Sequence, residues 1–389
     1  MPLATPPSET EVDEEATVTQ WTTENDQGDE ASPNRAERQH VRKLDPLIMP
    51  ITYLLHILAY LDRSNLGNAK FQGLETSLFP NDASGNQFAL LSAMFCKFGL
   101  TIRPFRILLT LAAKRFSPNI VIGFVAVAWG VASSLQAVSF NYAGITATRY
   151  FLGLFEAGYA PVVPFYYTLF YLKSEHGFRA SLYVSGAPLA SAFGGLVAYG
   201  VQHIRSRIAT WRILFLIEGL PTRIVGLLAF SGLPSRPETT KRLNEKERKL
   251  ALSRLRREVA PEGNDINWKH VITSLTDYKA RMVCLIYQSL SVALASISFL
   301  PSIARSLGYT DAKAQIMTVP PYACACIVMI IAAKTSDRLN IRGPFVAAAL
   351  VLSGVGYTIL LKVPTAATKV RYAAIILAVT GTYSGFPVR

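Results

Sequence analysis

The feature that most limits the folds open to this chain is a recurrence. Stretches of about 20 predominantly apolar residues, nearly free of charge, return from residue 44 almost to the last residue. They are Leu44–Leu61, Asn119–Phe140, Gly144–Leu172, Ala180–His203, Trp211–Leu233, Met282–Leu300, Ile316–Ala333, Pro344–Leu361 and Tyr372–Pro387. A tenth window, Gln87–Phe116, is interrupted by Lys97, Arg103, Pro104 and Arg106. Twenty helical residues cover about 30 Å, the thickness of the hydrocarbon core of a bilayer. Inside that core a helix satisfies every backbone donor and acceptor by itself. The expected fold class is therefore an all-α polytopic membrane protein. Composition agrees, because 17% of the residues are charged, against about 25% in soluble domains.

The first 43 residues are a different material. Ten acids stand against Arg35, Arg38, Arg42 and Lys43 among Pro, Ser, Thr and Gly, and a disordered acidic tail over 1–43 is expected. No basic start leads into an apolar core and cleavage site, so the first span is expected to target the chain. The tail carries −6, which leaves +19 of the overall +13 on the rest. That surplus gathers in loops between spans, where it orients helices and does not form a nucleic-acid face. With the tail in the cytoplasm, the loops around Lys114–Arg115, Lys173–Arg179, Arg236–Arg281 and Lys334–Arg342 all fall inside. Arg205, Arg207 and Arg212 fall outside, against the rule.

The connection Leu233–Arg281 holds twelve Lys or Arg and seven acids. It divides the chain into an N-terminal six-helix half, 44–233, and a second half, 282–389, around a central cytoplasmic loop, 234–281. Within that loop Asn244–Val259 reads as an amphipathic helix lying at the membrane surface. Asn244 and Glu247 make a capping box, and Leu252, Leu255 and Val259 share one face.

Enzymatic chemistry finds no support. Cys96, Cys284, Cys324 and Cys326 all lie in apolar segments without metal or redox spacing, and read as packing residues. His56, inside the first span, reads as a packed neutral ring rather than a proton carrier. No phosphate loop, nucleophile elbow or metal-ligand cluster is present, so no catalytic residue, metal or cofactor is expected.

Charge inside the spans is the functional signal. Ala143 to Leu172 contains only Arg149 and Glu156, seven residues apart and so on one helix face. Ionisable groups at membrane depth are costly and mark solute or proton pathways. The fifth span carries Gly186, Ala190, Gly194 and Ala198 at intervals of four, a stripe that lets helices approach closely, whether as a static crossing or as a sliding surface. Pro161, Pro164, Pro188 and Pro320–Pro321 read as kinks within spans.

Several stretches together carry a resemblance. They are Leu61-Asp62-Arg63-Ser64-Asn65-Leu66-Gly67-Asn68-Ala69; Arg149-x3-Gly153-x2-Glu156-Ala157-Gly158-x2-Pro161; Trp211-Arg212 leading to Ile217-Glu218-Gly219; and Ser336-Asp337-Arg338 with Arg342. In order and spacing they resemble the major facilitator superfamily, and within it the anion:cation symporter branch, specifically the fungal allantoate and nicotinate permease group. The resemblance implies two six-helix halves around a central cavity, and proton-coupled import of a small organic anion, with the proton gradient in place of any cofactor.

It also implies that Asp62, Arg63 and Glu156 face the cavity. Physics points the same way, since low dielectric disfavours the charged form of a carboxylate. Asp62 and Glu156 are thus the expected proton carriers, and Arg63, a permanently charged planar fork, the expected anion ligand. Tyr60 is either a cavity donor or an interfacial aromatic. Arg149, about 10 Å along the axis from Glu156, is expected to anchor near the outer end of its span. Glu218, Asp337, Arg338, Arg342, Gly186 and Gly194 are expected in structural or gating roles. The expected partners are protons, a small organic anion and lipid; the expected state is a monomer in the plasma membrane with both termini cytoplasmic.

Two departures from the family pattern bear on activity. Cys96–Leu111 is too charged for the second helix, as at a misread gene boundary, and the chain stops at Arg389 where relatives continue through two more helices. An incomplete second half of about four helices, and poor or no transport, are expected on that basis. A membrane-embedded solute sensor or scaffold, or an inactive truncated product, stands as the alternative to a working carrier.

Overall fold

The computed structural model describes residues 32–80, 86–97, 99–240, 242–258, 276–297, 300, 303–304, 311–339, 341, 343–364 and 367–385. Helices account for its regular structure, and among the described residues there is no strand. The described residues divide into two compact units, one up to Pro46 and one from Leu47.

The first long helix, α1, spans Ser32–Phe71. It therefore takes in residues 32–43, which composition assigned to the disordered tail. Local preference explains the correction: Arg35, Ala36, Glu37, Arg38 and Gln39 are good helix formers, and Pro33 stands in the first turn, where its missing N–H leaves no bond unmade. The chain turns after α1 at Gly73, whose φ of 87° is costly for any residue with a Cβ. A short α2, Leu74–Leu78, follows.

The interrupted window is helical in two pieces, α3 (Asn86–Lys97) and α4 (Gly99–Arg115). Lys97 is the last residue of α3, and Arg103 and Arg106 lie within α4, where Arg106 is exposed, so these charges stand on helices. The N-terminal half continues through α5 (Pro118–Gln136), α6 (Tyr142–Thr168), α7 (Lys173–Gln202) and α8 (Thr210–Gly232). Asn141 caps α6, its side chain accepting from Gly144 N–H at 2.8 Å.

After α8 comes α9, Glu245–Glu258. The Asn244 N–H donates to Glu247 Oε2 at 2.9 Å, one arm of the expected capping box; Val259 lies outside the described residues. This helix packs on the protein. Ala251 and Arg254 are buried, and Arg254 Nη2 meets Glu175 Oε1 on α7 at 2.5 Å, so a charged pair holds it to the protein.

The remaining long helices are α10 (Tyr278–Ile297), α12 (Val319–Leu339), α13 (Gly343–Lys362) and α14 (Thr368–Ser384), with a short α11 (Asp311–Ile316) before α12. Because α12 begins at Val319, Pro320 and Pro321 stand in its first turn and do not kink a span, as the sequence had suggested. Pro161, Pro164 and Pro188 do lie inside α6 and α7.

Among the described residues six helical stretches are long and apolar enough to cross a hydrocarbon core: Glu37–Phe71, Pro118–Gln136, Arg179–Gln202, Thr210–Gly232, Val319–Ser336 and Gly343–Lys362. Helix α6 is not one of them. Its apolar run is diluted by Tyr, Thr, Gly, Arg149 and Glu156, and those two charged residues are buried.

Glycine sets the closest crossings. Helices α5 and α8 meet through Gly123, Gly130, Gly219 and Gly226; a Cβ built at Gly226 would sit 2.9 Å from Val127 N. The expected stripe on α7 behaves likewise towards α1, where a Cβ at Gly194 would sit 2.9 Å from Ser64 Oγ and one at Gly186 3.2 Å from His56 Cδ2. Helix α7 also packs on the second half: Ala187 and Ala192 share a core with Tyr322, Ala325 and Met329 of α12 and with Val379 and Tyr383 of α14.

Candidate functional site: a buried charge cluster

Four helices bring the intramembrane charges together. Helix α1 supplies Tyr60, Asp62, Arg63 and Asn65, and the three-residue step from Asp62 to Asn65 keeps those two on one face. Helix α5 supplies Ser133, α6 supplies Arg149 and Glu156, and α8 supplies Glu218. Asp62 and Glu156 are each 1% exposed, Arg149 2% and Glu218 3%.

Each carboxylate has one polar partner on another helix. Arg63 Nε donates to Glu156 Oε1. Ser133 Oγ donates to Asp62 Oδ1, and Asn65 Nδ2 to Glu218 Oε2. Arg149 Nη1 donates to the backbone carbonyl of Asp62 at 3.2 Å. The second oxygen of each carboxylate, Asp62 Oδ2, Glu156 Oε2 and Glu218 Oε1, has no hydrogen-bond partner, and neither do Arg149 Nε and Nη2. The cluster is thus incompletely satisfied, and buried groups left this way are costly.

Arg63 differs from the rest in reaching solvent. Its side chain is 34% exposed, and its guanidinium lies 4.7 Å from the centroid of the Tyr60 ring. Tyr60 in turn approaches His56, with centroids 4.9 Å apart, and His56 stacks on Tyr183 at 3.9 Å. Tyr60 therefore joins the cluster as a wall for Arg63. The Arg149 guanidinium lies 5.5 Å from the Phe215 ring centroid, so this residue of α6 is enclosed against α1 and α8.

Chemically, three carboxyl groups face two guanidiniums. Guanidiniums remain charged, so the acid in excess is a place for a proton, and the unsatisfied oxygens allow pairings to be exchanged. Among the described residues no group of His, Cys, Asp and Glu is arranged to hold a metal ion.

The remaining predicted residues lie apart from this cluster. Gly186 and Gly194 sit at the α1–α7 crossing. Arg338 is exposed near the end of α12, where Ser336 Oγ donates to the Ile341 carbonyl at 2.9 Å; the side chain of Asp337 and all of Arg342 lie outside the described residues. Two members of the cluster were missed. Asn65 carried a signal, its three-residue step from Asp62, and Ser133 was marked only as a small polar residue in an apolar window.

With this geometry in view, likeness to known proteins is informative. The family model described as Major Facilitator Superfamily matches residues 52–388. The chain is 36% identical over 360 residues to the MFS transporter prlL of a fungal species (strain NRRL 50135), covering 90% of this chain and 72% of that protein. It is 35% identical over 357 residues to the major facilitator-type transporter hxnP of Emericella nidulans, covering 90% and 71%. In three dimensions it resembles the Escherichia coli xylose transporter XylE in a partially occluded inward-open conformation, with a TM-score of 0.63, 15% identity and coverage of 88% and 82%. A bacterial homologue of the lysosomal transporter Spinster gives a TM-score of 0.61 at 16% identity, covering 87% and 73%. By sequence and by fold, this chain belongs to the major facilitator superfamily and is a multi-pass membrane transporter.

Proposed function

We propose that the chain is a proton-coupled carrier of a small organic anion, working by alternating access, in the manner of the anion:cation symporters its motifs resemble. One observation carries this reading: Arg63, the charge of the cluster that reaches solvent, is paired with the buried Glu156 on a different helix. A substrate carboxylate can take Arg63 only if Glu156 releases it. A proton on Glu156 removes its charge and does so, which makes proton and anion binding mutually supportive. Asp62, held by Ser133 and beside Arg149, is the second proton-exchanging group. Glu218 and Arg149 hold the cluster together.

Basic loops favour cytoplasmic termini and a cytoplasmic Leu233–Arg281 loop, in the plasma membrane. The test is uptake of labelled small carboxylates, including nicotinate and allantoate, by cells expressing the chain, with and without an imposed proton gradient. Accumulation above equilibrium that collapses with a protonophore supports the reading. Uptake indifferent to the gradient, or binding without uptake, contradicts it.

A further inference from the structure

Where α4 ends and α5 begins, a groove of about 660 Å³ opens beside the exposed apolar face of the bundle. Leu109, Phe116, Ile120 and Phe124 line it, together with Arg115 and Arg236, and among the described residues no acidic side chain does. The groove continues a long apolar track. Ile120, Phe124, Val131, Leu135 and Val138 are all exposed, at steps of four, seven, four and three residues along one face of α5 and just past its end. In a membrane such a face touches hydrocarbon, and the groove lies at the end of that track, where the arginines begin.

The arginines are placed as a pair. Arg236 follows α8 and donates to the backbone carbonyl of Lys114, which fixes the loop after α8 against the end of α4 beside Arg115. Among the described residues neither arginine is ion-paired to a carboxylate. Two guanidiniums at the rim of an apolar groove complement a molecule with an anionic head and a hydrocarbon body.

We propose that this groove binds one anionic phospholipid, its phosphate held by Arg115 and Arg236 and an acyl chain lying along Ile120 and Phe124. The site is separate from the buried charge cluster and does not depend on what is carried. Lipid bound there bridges α4, α5 and the segment after α8.

The test uses the 389-residue chain purified in mild detergent and offered phosphatidylinositol or phosphatidylcholine at equal concentration, with retained lipid counted by native mass spectrometry. One phosphatidylinositol is expected to be retained in preference to phosphatidylcholine. Arg115→Gln, a change at an exposed side chain, is expected to weaken that retention about fivefold, and the further change Arg236→Gln about fivefold again. The selectivity of the unaltered chain requires no variant to fold. Equal retention of the two lipids, or an unchanged preference in Arg115→Gln, would overturn the proposal. Displacement of the lipid by glycerophosphoinositol or inorganic phosphate at matched concentration would overturn it as well, by showing a site for a soluble anion.

Discussion

Arg149 donates to the backbone carbonyl of Asp62, 3.2 Å away, and not to a carboxylate oxygen of either Asp62 or Glu156. An arginine buried to 2% exposure is thereby fixed by main chain, with two of its nitrogens unpartnered among three acids. Such a group can follow negative charge as it moves between neighbours. Replacing it leaves three buried carboxyl groups facing one guanidinium. Arg149→Gln is expected to destabilise the fold by about 3–5 kcal/mol, the usual cost of removing one partner from a buried charge network. Thermal unfolding in detergent, followed by tryptophan fluorescence, checks this.

Glu156→Gln keeps the shape of the protonated acid and removes its charge. It is expected to abolish gradient-driven accumulation, flatten the pH dependence of transport, and leave exchange of internal for external substrate largely intact. Counterflow and net uptake measured on the same vesicles separate the two activities. Normal net uptake with normal pH dependence would remove Glu156 from the coupling scheme.

Arg63→Ala strands Glu156 without its partner. Because Arg63 reaches solvent, the expected destabilisation is about 2–3 kcal/mol, below that of a fully buried pair. The double variant Arg63→Ala with Glu156→Gln should recover part of it, since no unpaired charge then remains. Both variants should lose anion binding, so a double-mutant cycle on melting temperature reads the pair while ligand binding reads the function.

Gly194→Val drives two methyl groups towards Ser64 on α1, where even a Cβ would lie 2.9 Å from Ser64 Oγ. Overpacking of this kind costs about 1–3 kcal/mol. Gly200→Ala, further along the same helix with nothing within 4 Å of the new Cβ, should be neutral or slightly stabilising. Melting temperatures of the two variants decide whether the stripe is a close crossing.

Topology is testable without transport. A single cysteine at Ser253, exposed on α9, should resist membrane-impermeant maleimide applied to intact cells and react after permeabilisation. Labelling from outside would reverse the orientation of every span.

What could be read from the sequence followed from how strongly each feature is penalised. Apolar windows and intramembrane charges were plain, because lipid tolerates few alternatives to a helix and few charges within one. Glu156 and Arg149 were found for that reason, and Asp62 and Arg63 through the motif at the end of the first span that the family shares. Their partners were less legible: Ser133 and Asn65 are small or neutral polar groups that an apolar window accepts at little cost, and only the fold shows which helix they meet. The α5–α8 crossing through Gly130 and Gly219 was missed for a related reason. Its glycines recur on two distant segments, and neither reveals its partner alone, whereas the α7 stripe repeats within one segment. The start of α1 at Ser32 was hidden by acidic composition nearby, although the local run from Arg35 to Gln39 favours a helix.

Helix α7 lays Gly186 and Gly194 against α1 and also lays Ser191 within 3.4 Å of the Tyr383 hydroxyl of α14, with Cys326 of α12 beside Ser185. Towards α1 it is held as well, by Asn68 Nδ2 on the Gly194 carbonyl at 3.4 Å, by Gln72 Nε2 on the Ala198 carbonyl at 3.0 Å and by the contact of the His56 and Tyr183 rings. Helix α7 is thus tied to both neighbours, so a tilt of α12 and α14 would be handed on through it to α1, the helix that carries Asp62 and Arg63.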